Sequence, residues 1–132
     1  MIVVDTSALI AILKSEPEST AFSRAMNAAD RLLIGAPTKF EFLMVATGAI
    51  ADPGGSDDAR EILSRLQVEV VSWTDHLADI ATAAFVRFGK GRHPARLNFG
   101  DCMAYAVAKA LHAPLLFKGD DFALTDVKRV TG

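Results

Sequence analysis

Two patterns of hydrophobic positions alternate along the chain. Four short, continuous apolar runs are bounded by turn or charged residues: Ile2-Val3-Val4 ending at Asp5, Leu32-Leu33-Ile34 ending at Gly35, Val68–Ser72, and Leu115-Leu116-Phe117 between Pro114 and Lys118-Gly119. Runs of this kind predict strands buried on both faces, as in a parallel sheet. Val127–Val130 is a fifth, weaker candidate. Between the runs the spacing becomes helical. Thr6–Lys14 repeats apolar residues at Leu9, Ile12 and Leu13, and Pro17 is placed in a first turn ahead of Phe22, Ala25, Met26 and Ala29. Pro37 opens a helix carrying Phe40, Leu43, Met44 and Ile50, and Ser56-Asp57-Asp58 reads as an N-cap leading to Ile62, Leu63 and Leu66. Thr74 plays that part for Leu77, Ile80, Ala81 and Ala84, and Gly100-Asp101 open the last helix with Met103, Val107 and Leu111. Strand, helix pair, strand, helix pair is the pattern of an α/β fold, a sandwich around a mostly parallel sheet. Asp52–Gly55 is expected to be a loop, and Gly89–Pro94 an exposed, mobile one.

Composition narrows the picture. A chain of 132 residues predicts one domain, residues 1–132, long enough to bury a core of its own. It is 51% hydrophobic and 23% charged, a globular balance with a slight apolar excess that points to a covered partner surface. The single cysteine, Cys102, allows no internal disulfide, no apolar stretch approaches the roughly 20 residues needed to span a bilayer, and Met1–Val4 lacks the features of a signal peptide. The expected location is cytoplasmic. A net charge of −2 gives no global attraction for nucleic acid, but no acidic residue lies between Asp79 and Asp101, and that gap holds Arg87, Lys90, Arg92, His93 and Arg96. A basic stripe beside acidic positions suits a polyanion handled at one edge, although an ordinary solvated surface has the same composition.

Four acidic positions then stand out. In an open parallel sheet, ligands bind at the carboxyl ends of the strands. Asp5 ends the first predicted strand, and Asp120-Asp121 follow the fourth after a two-residue turn. Asp5 and Asp101 also fit plain N-terminal caps of the helices that follow them. Glu41 is flanked by Phe40, Phe42, Leu43, Met44 and Val45, so its helix reads as apolar nearly all round, and therefore as buried. A buried carboxylate is costly unless paired or bound to a metal, and Lys39 is badly placed to pair with it because i,i+2 residues do not face each other. Clustered carboxylates repel unless a cation neutralises them, and all-oxygen ligands select Mg²⁺ or Mn²⁺. Zinc is disfavoured, since His76, His93 and His112 show no ligand spacing. Such an ion suits phosphodiester hydrolysis, because it activates water and stabilises charge on the phosphate and the leaving oxygen.

Three stretches carry a family resemblance: Met1–Ile10, Arg87–Cys102 (the run Lys90-Gly-Arg-His-Pro-Ala-Arg-Leu-Asn-Phe-Gly-Asp-Cys102 above all, which opens one residue after Gly89), and Leu115–Phe122 with Thr125-Asp126 behind it. In these the chain resembles PIN-domain proteins, specifically VapC-type toxins of bacterial toxin–antitoxin pairs. The resemblance implies a three-layer α/β/α PIN-like fold with a sheet of four to five strands. It also implies Mg²⁺- or Mn²⁺-dependent endoribonuclease activity on RNA, a VapB-like antitoxin partner and a homodimer. Carried onto this sequence, the family's acidic quartet falls on Asp5, Glu41, Asp101 and either Asp120 or Asp121, with Thr6 or Ser7 in support. Arg87, Lys90, Arg92 and Arg96 would steer the RNA. Before the Glu, Pro37-Thr38-Lys39-Phe40 departs from the small-residue pattern of the family.

Three competing readings remain open at this stage. The same acids would serve a metal-dependent phosphatase or DNA nuclease, since the metal recognises phosphate rather than sugar. A non-catalytic PIN-like binding module would keep the fold without the chemistry. A structural acid cluster would be neutralised by buried Lys or Arg.

Overall fold

The structure, a computed structural model, describes residues 1–49 and 54–130. Its centre is a four-stranded parallel sheet in the order β3-β2-β1-β4, built from β1 (Ile2–Val4), β2 (Leu32–Gly35), β3 (Glu69–Val71) and β4 (Leu115–Leu116). Because side chains alternate along a strand, the runs of β1, β2 and β4 feed two cores, whereas β3 is an edge strand whose Glu69 and Val70 are exposed, against the expectation of burial on both faces. Val3, Leu33, Leu115 and Phe117 face one core, with Phe88, Tyr105 and Val107, while Val4, Leu32, Ile34 and Leu116 face the other, with Leu9, Met26, Phe42 and Ile62. Helices α5 (Asp75–Phe88) and α6 (Phe99–Ala110) therefore cover one face. The other is covered by α1 (Thr6–Leu13), α2 (Ser19–Ala28), α3 (Ala36–Ala49) and α4 (Gly54–Arg65). This is the three-layer α/β/α arrangement expected from the sequence. The fifth strand survives as a single parallel bridge from Arg129 to Leu115, which covers the outer edge of β4.

Chain order places the site. From β1 the sheet grows one way through β2 and β3, and the last crossover returns to the opposite side of β1 to add β4. The switch point lies between β1 and β4, where a crevice opens at the strands' carboxyl ends. Asp5 follows β1 there, and Lys118–Asp121 follow β4.

The structure departs from the sequence reading in four further places, the smallest at α2, which begins at Ser19 and leaves Pro17 in the preceding turn. Helix α3 is not buried all round: Phe42 and Ala46 face the sheet, while Phe40 is 67% and Met44 54% exposed. One face suffices to dock the helix, with Leu43 half-buried beside it, and Phe40, Met44 and Val45 stand on the surface. Gly54 and Gly55 belong to the first turn of α4, not to a loop, and Ser56 lies inside the helix. The cause is helix proximity, since a Cβ on Gly55 would lie 2.3 Å from the Ala46 carbonyl oxygen of α3. Ile50, Asp52 and Pro53 lie outside the described residues. Finally, Gly89–Pro94 is exposed at Lys90, Gly91, Arg92 and Pro94 as expected, but the segment is pinned at Gly89, at His93 and by the residues that follow it. Ala95 and Leu97 are fully buried, Leu97 exchanges backbone hydrogen bonds with Phe88 and Lys90, and His93 meets Phe88 edge to face.

Candidate active site

Asp5 occupies the residue between β1 and α1, and its carboxylate caps α1. Its Oδ2 accepts the backbone N–H of Ser7 at 3.0 Å and the Ser7 hydroxyl at 2.6 Å. The capping reading is thus met by this side chain, which also lies at the carboxyl end of β1. Only 5% of Asp5 is exposed. Burial pushes its carboxyl up to about 6, opposed by the Ser7 hydrogen bonds and reinforced by the charges of Asp101 and Glu41. The Ser7 Oγ in turn accepts the backbone N–H of Lys118 at 2.9 Å. A single hydroxyl therefore clamps the ends of β1 and β4 together and fixes where the Lys118–Asp121 turn begins. Lys118 itself turns outward, paired with Glu16 and Glu18.

Glu41 arrives from the second turn of α3 and is half-buried. Its Oε1 accepts the hydroxyl of Thr6, which is also 3.5 Å from the Thr38 carbonyl oxygen, so the first turn of α1 orients an acid on α3. Its other carboxylate oxygen lies against Gly100 of α6, where a Cβ would sit 2.1 Å from Oε2. Gly100 thus keeps the space that Glu41 fills.

Asp101 sits in the first turn of α6. Asn98 and Asp101 form a reciprocal capping box, each side chain accepting the other's backbone N–H. Burial raises the Asp101 carboxyl, the backbone bond from Asn98 lowers it, and the charges of Asp121 and Glu41 raise it again, leaving it above the usual carboxylate range. Asp121 precedes the 3₁₀ turn Phe122–Leu124 without capping it through its side chain, and it is the member of the Asp120-Asp121 pair whose charge acts on Asp101. Both aspartates are exposed.

The acids of the sequence reading are thus linked through space, by charge from Asp5 to Glu41 and Asp101, and from Asp101 to Asp121. Among the described residues no Lys, Arg or His pairs with any of them. A cluster neutralised by buried basic residues is therefore not what the fold contains. Among the described residues the side chains also do not converge into a closed set of three metal ligands. The donor chemistry is nevertheless that of a hard divalent cation: all carboxylate oxygens, uncompensated, with Asp5 committing only Oδ2 to hydrogen bonds.

The basic stripe divides. Arg87 pairs with Asp126 at 3.3 Å and lies 4.6 Å over the Phe88 ring. Asp126 also accepts the Tyr105 hydroxyl and pairs with Lys109, so Arg87 belongs to an anchor joining α5, α6 and the C-terminal segment. Arg92 donates to the Val86 carbonyl at 3.2 Å, and Lys90 and Arg96 are exposed without ion partners among the described residues. These three stand on the segment that runs directly into Asn98 and Asp101. The roles of Gly100, Thr38 and Asn98 were missed in the sequence. Only Asn98, a capping residue three before an acid, carried a readable signal.

The PIN domain family model matches residues 2–128 of the chain. Ribonuclease VapC30 of Mycobacterium tuberculosis is 42% identical over 131 residues, covering 97% of each chain. Ribonuclease VapC of Mycolicibacterium smegmatis is also 42% identical over 131 residues, covering 97% of this chain and 98% of the relative. Among solved structures, the sarcin–ricin-loop-cleaving toxin VapC20 of M. tuberculosis superposes with a TM-score of 0.79 at 19% identity, covering the whole of both chains. VapBC2 of Rickettsia felis, bound to a promoter DNA fragment, gives 0.76 at 12% identity over 99% of this chain and 98% of that one. These two likenesses establish the shared fold, and the curated relatives establish the branch: the chain belongs to the PIN-domain family, among the VapC proteins.

Proposed function

We propose that this chain, as a single PIN domain, is a metal-dependent endoribonuclease that acts as the toxin of a toxin–antitoxin pair. The observation that carries the reading is the group Asp5, Glu41 and Asp101, three coupled carboxylates at the carboxyl ends of the sheet with no basic partner among the described residues. The names of the curated relatives, ribonucleases at 42% identity, agree with it.

Asp5, Glu41 and Asp101 would hold Mg²⁺ or Mn²⁺, which supplies an activated water and stabilises charge on the phosphate. Asp121 would complete the acidic face, because its charge reaches Asp101, with Asp120 next to it in the same turn. Ser7 holds Asp5 in place and Thr6 holds Glu41, so each first-turn hydroxyl of α1 positions one acid. Lys90, Arg92 and Arg96 would draw the flanking phosphates toward the N-terminus of α6, where the helix amides also favour an anion. Arg87 would contribute only if it left Asp126. A VapB-like antitoxin is the partner this reading assigns, in keeping with the toxin–antitoxin complexes among the structures that share the fold. Exposed Phe40, Met44, Phe85 and Phe99 offer apolar surface for that partner or for the second subunit of a homodimer. No helix of the described residues is long and apolar enough to cross a membrane, in keeping with action on cytoplasmic RNA.

The test is cleavage of a mixed single-stranded RNA, and of DNA of the same sequence, by the isolated chain with Mg²⁺, Mn²⁺ or EDTA, beside Asp5→Asn and Asp101→Asn. The expected result is RNA cleavage that requires the metal and is lost in both variants, with DNA spared. A folded, antitoxin-free protein that cleaves no RNA with either ion would overturn the reading in favour of a binding module. Cleavage of DNA as well as RNA would replace the endoribonuclease by a general nuclease.

A further inference from the structure

The basic residues of this surface differ in how they are compensated. Arg31, Arg65, Arg87, Lys109 and Lys118 each lie within 4.0 Å of a carboxylate. Lys39 and Arg60 face none among the described residues, yet both line one cavity of about 210 Å³ between α3, α4 and the open edge of the sheet. Its floor is Ile34, Leu63, Val68 and Val70, and Ser64, one helical turn beyond Arg60, adds a hydroxyl. Lys39 is half-buried, as a lysine is when its stem lies along apolar surface and its ammonium stays available. Arg60 is exposed and Lys39 half-buried on the rim of this solvent-open groove, so both cations are available to an anion held in it.

The placement relates this cavity to the acid cluster. Lys39 and Glu41 are two residues apart on α3, and at about 100° per residue their side chains leave opposite sides of the helix. Glu41 turns to Thr6 and Gly100 while Lys39 turns to α4, with only about 3 Å of helix rise between them. An RNA strand crossing the start of α3 would meet both.

We propose that Lys39, Arg60 and Ser64 form a phosphate-binding subsite that holds the RNA backbone on the side of α3 facing away from the acid cluster. This deepens the endoribonuclease reading above and rests on it. A phosphodiester suits the donor set better than a protein carboxylate does. It offers several oxygens around one centre to a guanidinium fork, an ammonium and a hydroxyl together.

The experiment measures binding of a labelled single-stranded RNA in Mg²⁺, in an Asp101→Asn background so that the RNA survives, from about 50 to about 200 mM salt. Lys39→Gln/Arg60→Gln is compared with Lys128→Gln, which removes an exposed charge elsewhere, and thermal melting confirms that each protein is folded. The expected result is weaker binding by the double variant and a log K against log salt slope shallower by about 0.7, the value for one lost single-strand phosphate contact. Lys128→Gln should keep the parent slope. An unchanged slope in the double variant, or an equal change in Lys128→Gln, overturns the subsite. So does a double variant that keeps its RNA affinity but loses affinity for polyglutamate, which would assign the cavity to an acidic protein partner. If the background protein bound no RNA while the wild type cleaved it, the subsite would fall and the ribonuclease reading would stand.

Discussion

Replacing Asp5 by Asn should stabilise the metal-free protein at neutral pH while abolishing its activity, and the size of the gain follows from the burial of one carboxylate. In the folded chain the Asp5 carboxyl is raised from 3.8 to about 6. Each tenfold change in proton affinity is worth about 1.4 kcal/mol, so the rise corresponds to about 3 kcal/mol. The sign follows from linkage: a carboxyl that holds its proton more tightly when folded favours the folded state below the unfolded pKa. That contribution is lost as pH rises through the folded value. In EDTA the wild type should therefore lose up to about 3 kcal/mol on this account between pH ~4 and pH ~7. Asp101 adds to the loss in the same direction, since its carboxyl is also raised. Asn at position 5 keeps an oxygen for the Ser7 bonds and has no charge to desolvate, so its own share of the pH dependence vanishes. Urea unfolding in EDTA across this pH range measures the difference between variant and wild type. It should be near zero or slightly negative at pH ~4 and should grow toward about 3 kcal/mol at neutral pH. Mg²⁺ should then close the gap from the wild-type side, by about 2.7 kcal/mol at a hundredfold excess over its dissociation constant, and leave Asp5→Asn unmoved. A variant–wild-type difference that stays constant across the pH range would refute the argument, because burial of a charge would then not be the cost.

Three further outcomes separate positioning from folding. Gly100→Ala should leave the fold within about 1 kcal/mol of wild type, since alanine is the better helix former, but its Cβ must displace the Glu41 carboxylate. Metal affinity measured by calorimetry should fall about tenfold or more. Ser7→Ala removes the link between Asp5 and the Lys118 backbone. It should push the Asp5 carboxyl higher still, shift the acidic limb of the pH–rate profile upward, and cost metal affinity by about 10–100-fold. Tyr105→Phe takes one hydrogen bond from Asp126, which still holds Lys109 and Arg87. Denaturation should register a loss of about 1 kcal/mol, with turnover per folded molecule unchanged, whereas a loss of turnover at full stability would make the anchor part of the site.

What the sequence disclosed and what it hid follow from the range of the forces involved. β1, β2 and β4 were legible because burial on both faces leaves no room for polar alternation, the exposed edge strand β3 only by its β-branched residues, and Asp5 stood out because it interrupts such a run. Glu41 was singled out by an argument that was only partly sound. The helix around it is apolar on nearly every side, yet Phe40 and Met44 are exposed. The burial of Glu41 comes from Thr6, thirty-five residues earlier, and from Gly100 on another helix. The same limit applies to charge. Arg87 looks free when charges are counted along the chain, and its partner Asp126 lies thirty-nine residues away. The choice between Asp120 and Asp121 was beyond any spacing rule. Both stand in a turn shaped by Gly119, whose φ is +104°, and by the 3₁₀ turn that follows.

The acidic site and the topology are parts of one device. Placing β4 beside β1 is the longest-range step in the chain, and it brings the Lys118–Asp121 turn next to Asp5 at the only point where two crossovers leave the sheet in opposite directions. The fold then spends its two first-turn hydroxyls, Thr6 and Ser7, on aligning acids that repel one another. Both bonds run from α1 to elements far along the chain. An isolated α1 could keep the Asp5 cap on Ser7, but not the contacts to Glu41 and Lys118. The local cap is thus available before the fold forms, and the cluster only after it. This is why Asp5 can be read as an ordinary helix cap in the sequence and still, in the folded chain, be the most perturbed carboxyl of the acidic group.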